Sequence, residues 1–245
     1  MEFLSGGERH CYWSHAQWTI GHSFNSMGGV TSSTSSHSAP PRTRKPPEER
    51  REDILACAAA IAIEEGLERI TLRAVAARLG VRPGLITHYF PVAEDLVVAA
   101  FARAAVLERE QFFTTGGTPM QRLARFVDHV EQGRSLPLAR LWLNARHLSR
   151  FSPPLDTELQ IQDELDRERL TAMIEDGIAS GDFPGADAES ACIRIFIALD
   201  GGGSYVNSSQ PIEHPAHTRV VADVAEWALG LEVGALREAM AALPG

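Results

Sequence analysis

The chain has 245 residues, 44% hydrophobic and 22% charged, which is the balance of a globular protein of one or two domains. Its net charge of −9 confines any nucleic-acid contact to a local basic edge, because phosphate contacts supply most non-specific affinity. Cys11, Cys57 and Cys192 show no paired spacing, which excludes a disulfide framework; no apolar run reaches membrane-span length and no secretory signal is evident, so the expected compartment is the cytoplasm.

Residues 1–45 read as a separate tail, disordered or non-native. The Thr31–Ser36 run and Pro40-Pro41 carry too little apolar surface to order themselves, and Met27 is a candidate alternative start. At its end, Arg42, Arg44 and Lys45 are placed to act as a basic minor-groove arm, with a solvated linker as the equal alternative.

Residues 46–95 carry the most specific signal. Pro46-Pro47 with Glu48 and Glu49 is a helix entry, since proline suits a first turn and carboxylates complement the positive end of the helix dipole. Ile54, Leu55, Ala58, Ile61 and Ala62 recur at helical spacing up to Gly66. Thr71 is the expected N-cap of a second helix with the stripe Leu72, Val75, Ala76 and Leu79, which Gly80 breaks. Pro83 opens a third helix. Ile86, Tyr89 and Phe90 share one side of it, while Gly84, Thr87 and His88 point the other way, with Arg82 just ahead. This is a helix-turn-helix, whose second helix delivers side chains into a DNA major groove.

The run Gly66-Leu67, Thr71–Ala76, Leu79-Gly80-Val81, Pro83–Ile86 and His88-Tyr89-Phe90 resembles the TetR family of one-component transcriptional regulators. Its Pro-Gly-Leu and His-Tyr-Phe elements look most like the choline-responsive BetI-like branch. The resemblance implies an all-α homodimer with a small N-terminal DNA reader and a larger ligand-sensing and dimerisation domain. It also implies a lysine near the start of the fourth helix, where this chain has Ala93 beside Glu94 and Asp95, so one phosphate contact is expected to be missing.

Residues 96–245 are expected to form the regulatory domain. Gly116–Pro119, Pro153-Pro154, Gly181–Gly185 and Gln210-Pro211 separate helical patterns at Met120–Gln132, Leu138–Phe151, Leu155–Ser180, Ala188–Val206 and His217–Glu232, with a short final helix ending near Leu243. With no useful strand alternation, the fold class is all-α. Two broadly apolar helices, Ala191–Leu199 and Val220–Ala228, have too little protein to hide behind; the resemblance places them in a four-helix dimer contact. The acidic run Asp156, Glu158, Asp163, Glu164, Asp166 and Glu168 reads as a solvated helix face.

Candidate ligand-binding residues are Phe126, His129, Trp142 and His147, faced by Phe196, Asp200 and Tyr205. Aromatic rings around one acid suit a mostly apolar, cationic small molecule, with plain core packing as the alternative for each ring. Gly201-Gly202-Gly203 is not a phosphate loop, since no Gly-Lys-Ser/Thr follows, and Pro215 between His214 and His217 argues against a metal pair. No nucleophile–base pair, metal set or cofactor loop is evident, so neither an enzyme nor a cofactor or metal is expected. The expectation is a dimeric repressor reading a palindromic operator through Arg44, Lys45, Thr71, Arg82, Pro83, Gly84, Thr87, His88 and Tyr89, released by a small-molecule effector. The competing expectation is a ligand- or protein-binding module on the same scaffold with little operator affinity.

Overall fold

The computed structural model describes residues 45–210 and 212–243, so most of the expected tail, including Arg42 and Arg44, lies outside the described residues. Helix α1 (Pro47–Glu65) starts on its proline, carries Glu48 and Glu49 in its first turn and buries Ile54, Leu55, Ala58, Ile61 and Ala62. A 3₁₀ turn (Leu67–Arg69) leads to α2 (Leu72–Leu79), where the Ala74 N–H donates to Thr71 Oγ1 at 3.0 Å. Gly80 then adopts φ 65°, a left-handed conformation that glycine takes without steric penalty, and the chain turns into α3 (Pro83–Tyr89). α4 (Ala93–Phe112) completes the N-terminal part.

The larger part begins with α5 (Pro119–Glu131), opened by a capping box between Thr118 and Gln121. α6 (Leu136–Leu148) ends in a 3₁₀ turn (Ser149–Phe151), and α7 (Pro153–Ser180) runs to Gly181. α8 (Ala188–Gly203), α9 (Pro215–Thr218), α10 (Val220–Leu229) and α11 (Ala235–Ala241) follow. No strand occurs among the described residues, and the fold is all-α, a helix-turn-helix domain followed by a larger helical domain.

Several boundaries differ from the sequence reading, α7 among them, which starts at Pro153 rather than Leu155. α6 starts at Leu136, because Pro137 falls in its first turn, where a missing N–H leaves no bond unmade. α8 stops at Gly203 rather than Val206, after three glycines of poor helix propensity. The helix expected over His217–Glu232 is two: Arg219 leaves helical geometry at φ −110° and ψ 7°, and Gly230, left-handed at φ 69°, ends α10.

Two apolar clusters hold the described chain together. One gathers α1, α2, α3 and the first half of α4 around Ile54, Val75, Ile86, Phe90 and Phe101, and it takes in Leu141 and Ala145 of α6 and Leu155 and Leu159 of α7. The other joins Phe112 at the end of α4 to α5, the second half of α7, α8, α10 and α11. The helix-turn-helix is therefore mounted on α6 and the start of α7. A polar contact reinforces the mount: the Leu67 N–H donates to Asn144 Oδ1 of α6 at 2.8 Å.

Candidate DNA-reading face and ligand cavity

On α3, Ile86 and Phe90 point inward and are buried, and Tyr89 is half-buried with its ring edge-on to His88 at 5.2 Å. Arg82, Pro83, Gly84, Thr87 and His88 are exposed, so these five residues form one outward surface. A Cβ at Gly84 would meet nothing within 4 Å, which leaves its backbone open to close approach. Thr71 is exposed as well, although its hydroxyl already caps α2.

The basic residues near this surface differ in their commitments. Lys45 and Arg50 both contact Asp53, at 2.8 Å and 3.3 Å, and Arg78 contacts Glu64 at 2.8 Å. Arg51 lies over the Phe90 ring at 4.9 Å. Arg73 and Arg82 are exposed, and no ion pair involves either among the described residues. Ala93 is the first residue of α4, followed by Glu94 and Asp95.

A cavity of about 210 Å³ lies between α4, α5, α6, α7 and α8. Phe126, Trp142, Phe196 and Asp200 line it, together with Phe112 and Phe113. The rings lean on one another: Phe113 stacks on Phe126 at 5.7 Å, and Phe112 lies 5.2 Å from Phe126. The remaining three candidates do not line it. His129 sits behind the wall against Phe112 at 4.8 Å, with burial lowering its pKa. His147 packs on Phe151 near the end of α6. Tyr205 lies just beyond the lining residues Gly203 and Ser204 and meets His217 edge-on at 5.4 Å. The other histidine of that pair, His214, accepts the Ala216 N–H at the start of α9, and no cluster of metal-ligating side chains occurs among the described residues.

The cavity's charged wall was not anticipated. Glu108, Asp163 and Asp166 line it alongside Arg146 and Asp200, so two acids assigned to a solvated face of α7 turn inward. Arg146 reaches both Asp163, at 3.2 Å, and Asp200, at 3.0 Å. The buried Arg109 holds Asp166 through Nε and donates from Nη2 to the Gln162 carbonyl at 3.1 Å and side chain at 2.7 Å. Burial still raises the Asp166 carboxyl to about 6, because desolvation outweighs the arginine beside it. Burial raises Asp200 as well.

Glu108 is 6% exposed, and the Trp142 indole N–H donates to its Oε2 at 2.6 Å. Burial raises its pKa to about 8, against which that hydrogen bond acts only in part. One sequence signal pointed to it. Phe101, Ala104, Ala105, Glu108 and Phe112 recur at helical spacing on the buried side of α4, so Glu108 occupies a slot in an apolar stripe.

The comparison with known families bears on the N-terminal part. Residues 54–100 match the family described as bacterial regulatory proteins, tetR family. This segment is similar to a TetR-family N-terminal domain. Among curated proteins, none matches the chain. Solved structures similar in fold include one from Saccharomonospora viridis in complex with choline (19% identity, 74% of this chain and 95% of that one, TM-score 0.60). A TetR transcription regulator from Haloarcula marismortui is 20% identical over 80% of this chain and 98% of its own, with TM-score 0.58. The fatty acid degradation regulator FadR from Bacillus halodurans is 20% identical over 77% and 97%, with TM-score 0.57. The TetR-like fold thus extends through the larger domain. No described helix is long and apolar enough to cross a membrane.

Proposed function

We propose that the chain is a ligand-responsive transcriptional repressor that binds a palindromic operator as a homodimer and leaves it when a small-molecule effector fills the cavity. Residues 46–95 are the DNA reader and 96–245 the effector and dimerisation domain. The observation that carries this reading is the outward surface of α3. Its buried side is fully used by the core, so Arg82, Gly84, Thr87 and His88 are left for a groove. Arg82 and Thr71 take phosphates at its edge, with Pro83 and Tyr89 setting the helix's approach and Arg44 and Lys45 lying ahead of α1.

Dimerisation is supported by the outer surface of α8 and α10. Ile197 is 66% exposed and Trp227 is 68% exposed, with Ile193 beside them and Arg194 over the Trp227 ring at 4.7 Å. Large apolar side chains gathered on two packed helices favour an isologous contact with a second copy. The Pro83-Gly84-Leu85 and His88-Tyr89-Phe90 elements favour the BetI-like branch, as does the fold shared with a choline-bound protein.

Release requires that the effector bind unequally to the two forms of the dimer, since equal affinity shifts nothing. α6 can carry that difference. Trp142, Leu143 and Arg146 line the cavity, while Asn144 between them holds the backbone of the reader domain at Leu67.

A gel-shift of the full chain against duplexes tiled across the DNA flanking its own coding region tests the reading. One fragment retarded as a complex of two chains is the expected result. Equal, weak retardation of every fragment would instead support the rival reading, a binding module with little operator affinity. The net charge of −9, Ala93 and the acids on Lys45, Arg50 and Arg78 favour that rival.

A further inference from the structure

The turn between α6 and α7 stands beside the reading surface of a domain to which it does not belong. Ser152 caps α7 by accepting the Leu155 N–H, and its hydroxyl donates to the Glu94 carboxylate in the first turn of α4. Only Phe90, Pro91 and Val92 separate α4 from the end of α3. The Ser152–Glu94 contact thus brings the 3₁₀ turn Ser149–Phe151 to the edge of the exposed α3 surface, although the two residues are 58 apart in sequence.

The side chains of that turn are unusual for a solvated corner. Phe151 is 72% exposed. Arg150 lies over its ring at 5.7 Å, and His147 meets the ring edge-on at 5.9 Å. Arg150 is itself exposed, and no ion pair involves it among the described residues. It differs in this from Arg146, one turn earlier, which holds Asp163 and Asp200. A guanidinium resting on a ring keeps its charge in one place at a smaller loss of side-chain entropy than a free one.

We propose that Arg150 makes a second DNA contact, from the larger domain, by pairing with a phosphate of the operator backbone at the edge of the groove that α3 enters. The inference rests on α3 being the DNA reader, and it adds a phosphate partner outside residues 46–95. Position favours a duplex as the occupant, because the turn continues the exposed side of α3 through Val92, itself 52% exposed. Chemistry agrees, since a guanidinium matches a phosphate in both charge and fork geometry. Three acids stand nearby, Glu94 and Asp95 in the first turn of α4 and Asp156 in that of α7. They repel a phosphate, and Arg150 supplies the opposing charge that Ala93 does not. Arg150 follows directly on α6, whose Trp142 and Arg146 line the cavity, so the contact is carried by the ligand-binding helix and not by the reader.

Fluorescence anisotropy of the full chain on the fragment retarded in the gel-shift, from 50 to 200 mM salt, tests the proposal. One phosphate contact contributes about 0.9 to the slope of log affinity against log salt. Arg150→Ala should therefore bind more weakly than wild type at 50 mM, and the gap should narrow about 3.5-fold by 200 mM. Arg150→Lys keeps a point charge and should keep the wild-type slope. Both variants should melt with wild type, because the side chain is exposed. Ethylation interference should show one phosphate per half-site that matters to wild type and not to Arg150→Ala.

An unchanged slope for Arg150→Ala, or identical interference patterns, would overturn the proposal. So would weakening by the same factor at every salt, since an effect through the packing of the turn releases no counterion. In each of these cases wild type still selects one fragment, and the reading of DNA by α3 stands. A wild-type chain that prefers no fragment would remove the reader, and this contact with it.

Discussion

The helix-turn-helix and the cavity wall bury side chains of opposite character. Beneath α3 the packing is aliphatic and aromatic, with Ile54, Val75, Ile86 and Phe90 inside. Around the cavity α4 and α7 bury Glu108, Arg109 and Gln162 instead. An apolar mount holds the exposed side of α3 with little dependence on pH, because its buried side chains include no carboxyl or imidazole. The wall is the part whose energy changes when a proton or a ligand arrives. In the proposed regulator, stability and responsiveness are thereby kept in different places, joined by α6.

Two substitutions should separate the regions most sharply. Arg109→Met leaves Asp166 buried without its partner and should cost about 3–5 kcal/mol in denaturant unfolding at pH 8. The loss should shrink toward pH 5, because the Asp166 carboxyl, already raised to about 6, then takes a proton. Ile86→Ala should cost about 2–5 kcal/mol through transfer and cavity terms, with the same value at both pH values. A pH-dependent loss at Ile86, or a flat one at Arg109, would erase the distinction.

A weaker effect sharpens it. The Glu108 carboxyl is raised from 4.5 to about 8 in the folded chain, so the fold binds the proton more tightly than the unfolded chain does. Its contribution to stability is complete below pH 4.5 and is lost as pH rises through 8. Thermal melts of Glu108→Gln should therefore decline less than wild type between pH 5 and pH 8.5. Parallel curves would mean that Glu108 is not where this protein's pH sensitivity resides.

The smallest expected effect concerns the joint. Asn144→Ala removes the acceptor of the buried Leu67 N–H and should cost about 1–2 kcal/mol. Its informative readout is functional: effector should still bind, with less displacement of operator DNA. Undiminished displacement would place the coupling outside this contact.

Much of the fold was legible in the sequence, because the features that set it are local. Gly80, the Thr71 cap, Pro83 and the stripes of α1 and α2 each act within a few residues, and their elements form where the pattern puts them. The cavity was legible only in its aromatic half. Phe126, Trp142 and Phe196 stood out by residue type, and Asp200 as an acid on an apolar helix. Glu108 and Arg109 lie within the charged run Leu107-Glu108-Arg109-Glu110-Gln111, which reads as a solvated helix end and masks the slot of Glu108 in the apolar stripe; the packing of α7 and α6 buries Glu108 and Arg109. Asp166 hid in the same way, because an acidic run on a 28-residue helix does not reveal which of its members turn inward. His129, His147 and Tyr205 lie close in sequence to the lining residues Phe126, Arg146 and Ser204 but do not line the cavity, because adjacent residues of a helix face different ways.

The central claim, that the exposed side of α3 reads DNA, is tested most directly at Gly84. The fold leaves open space there, and a carboxylate in the first turn of a helix complements its dipole, so Gly84→Glu should melt no lower than wild type. Fluorescence anisotropy on the operator fragment should nonetheless show affinity reduced by about 100-fold, the order expected from forcing an uncompensated charge against phosphates. Operator affinity within twofold of wild type, in a variant of unchanged stability, would contradict the account.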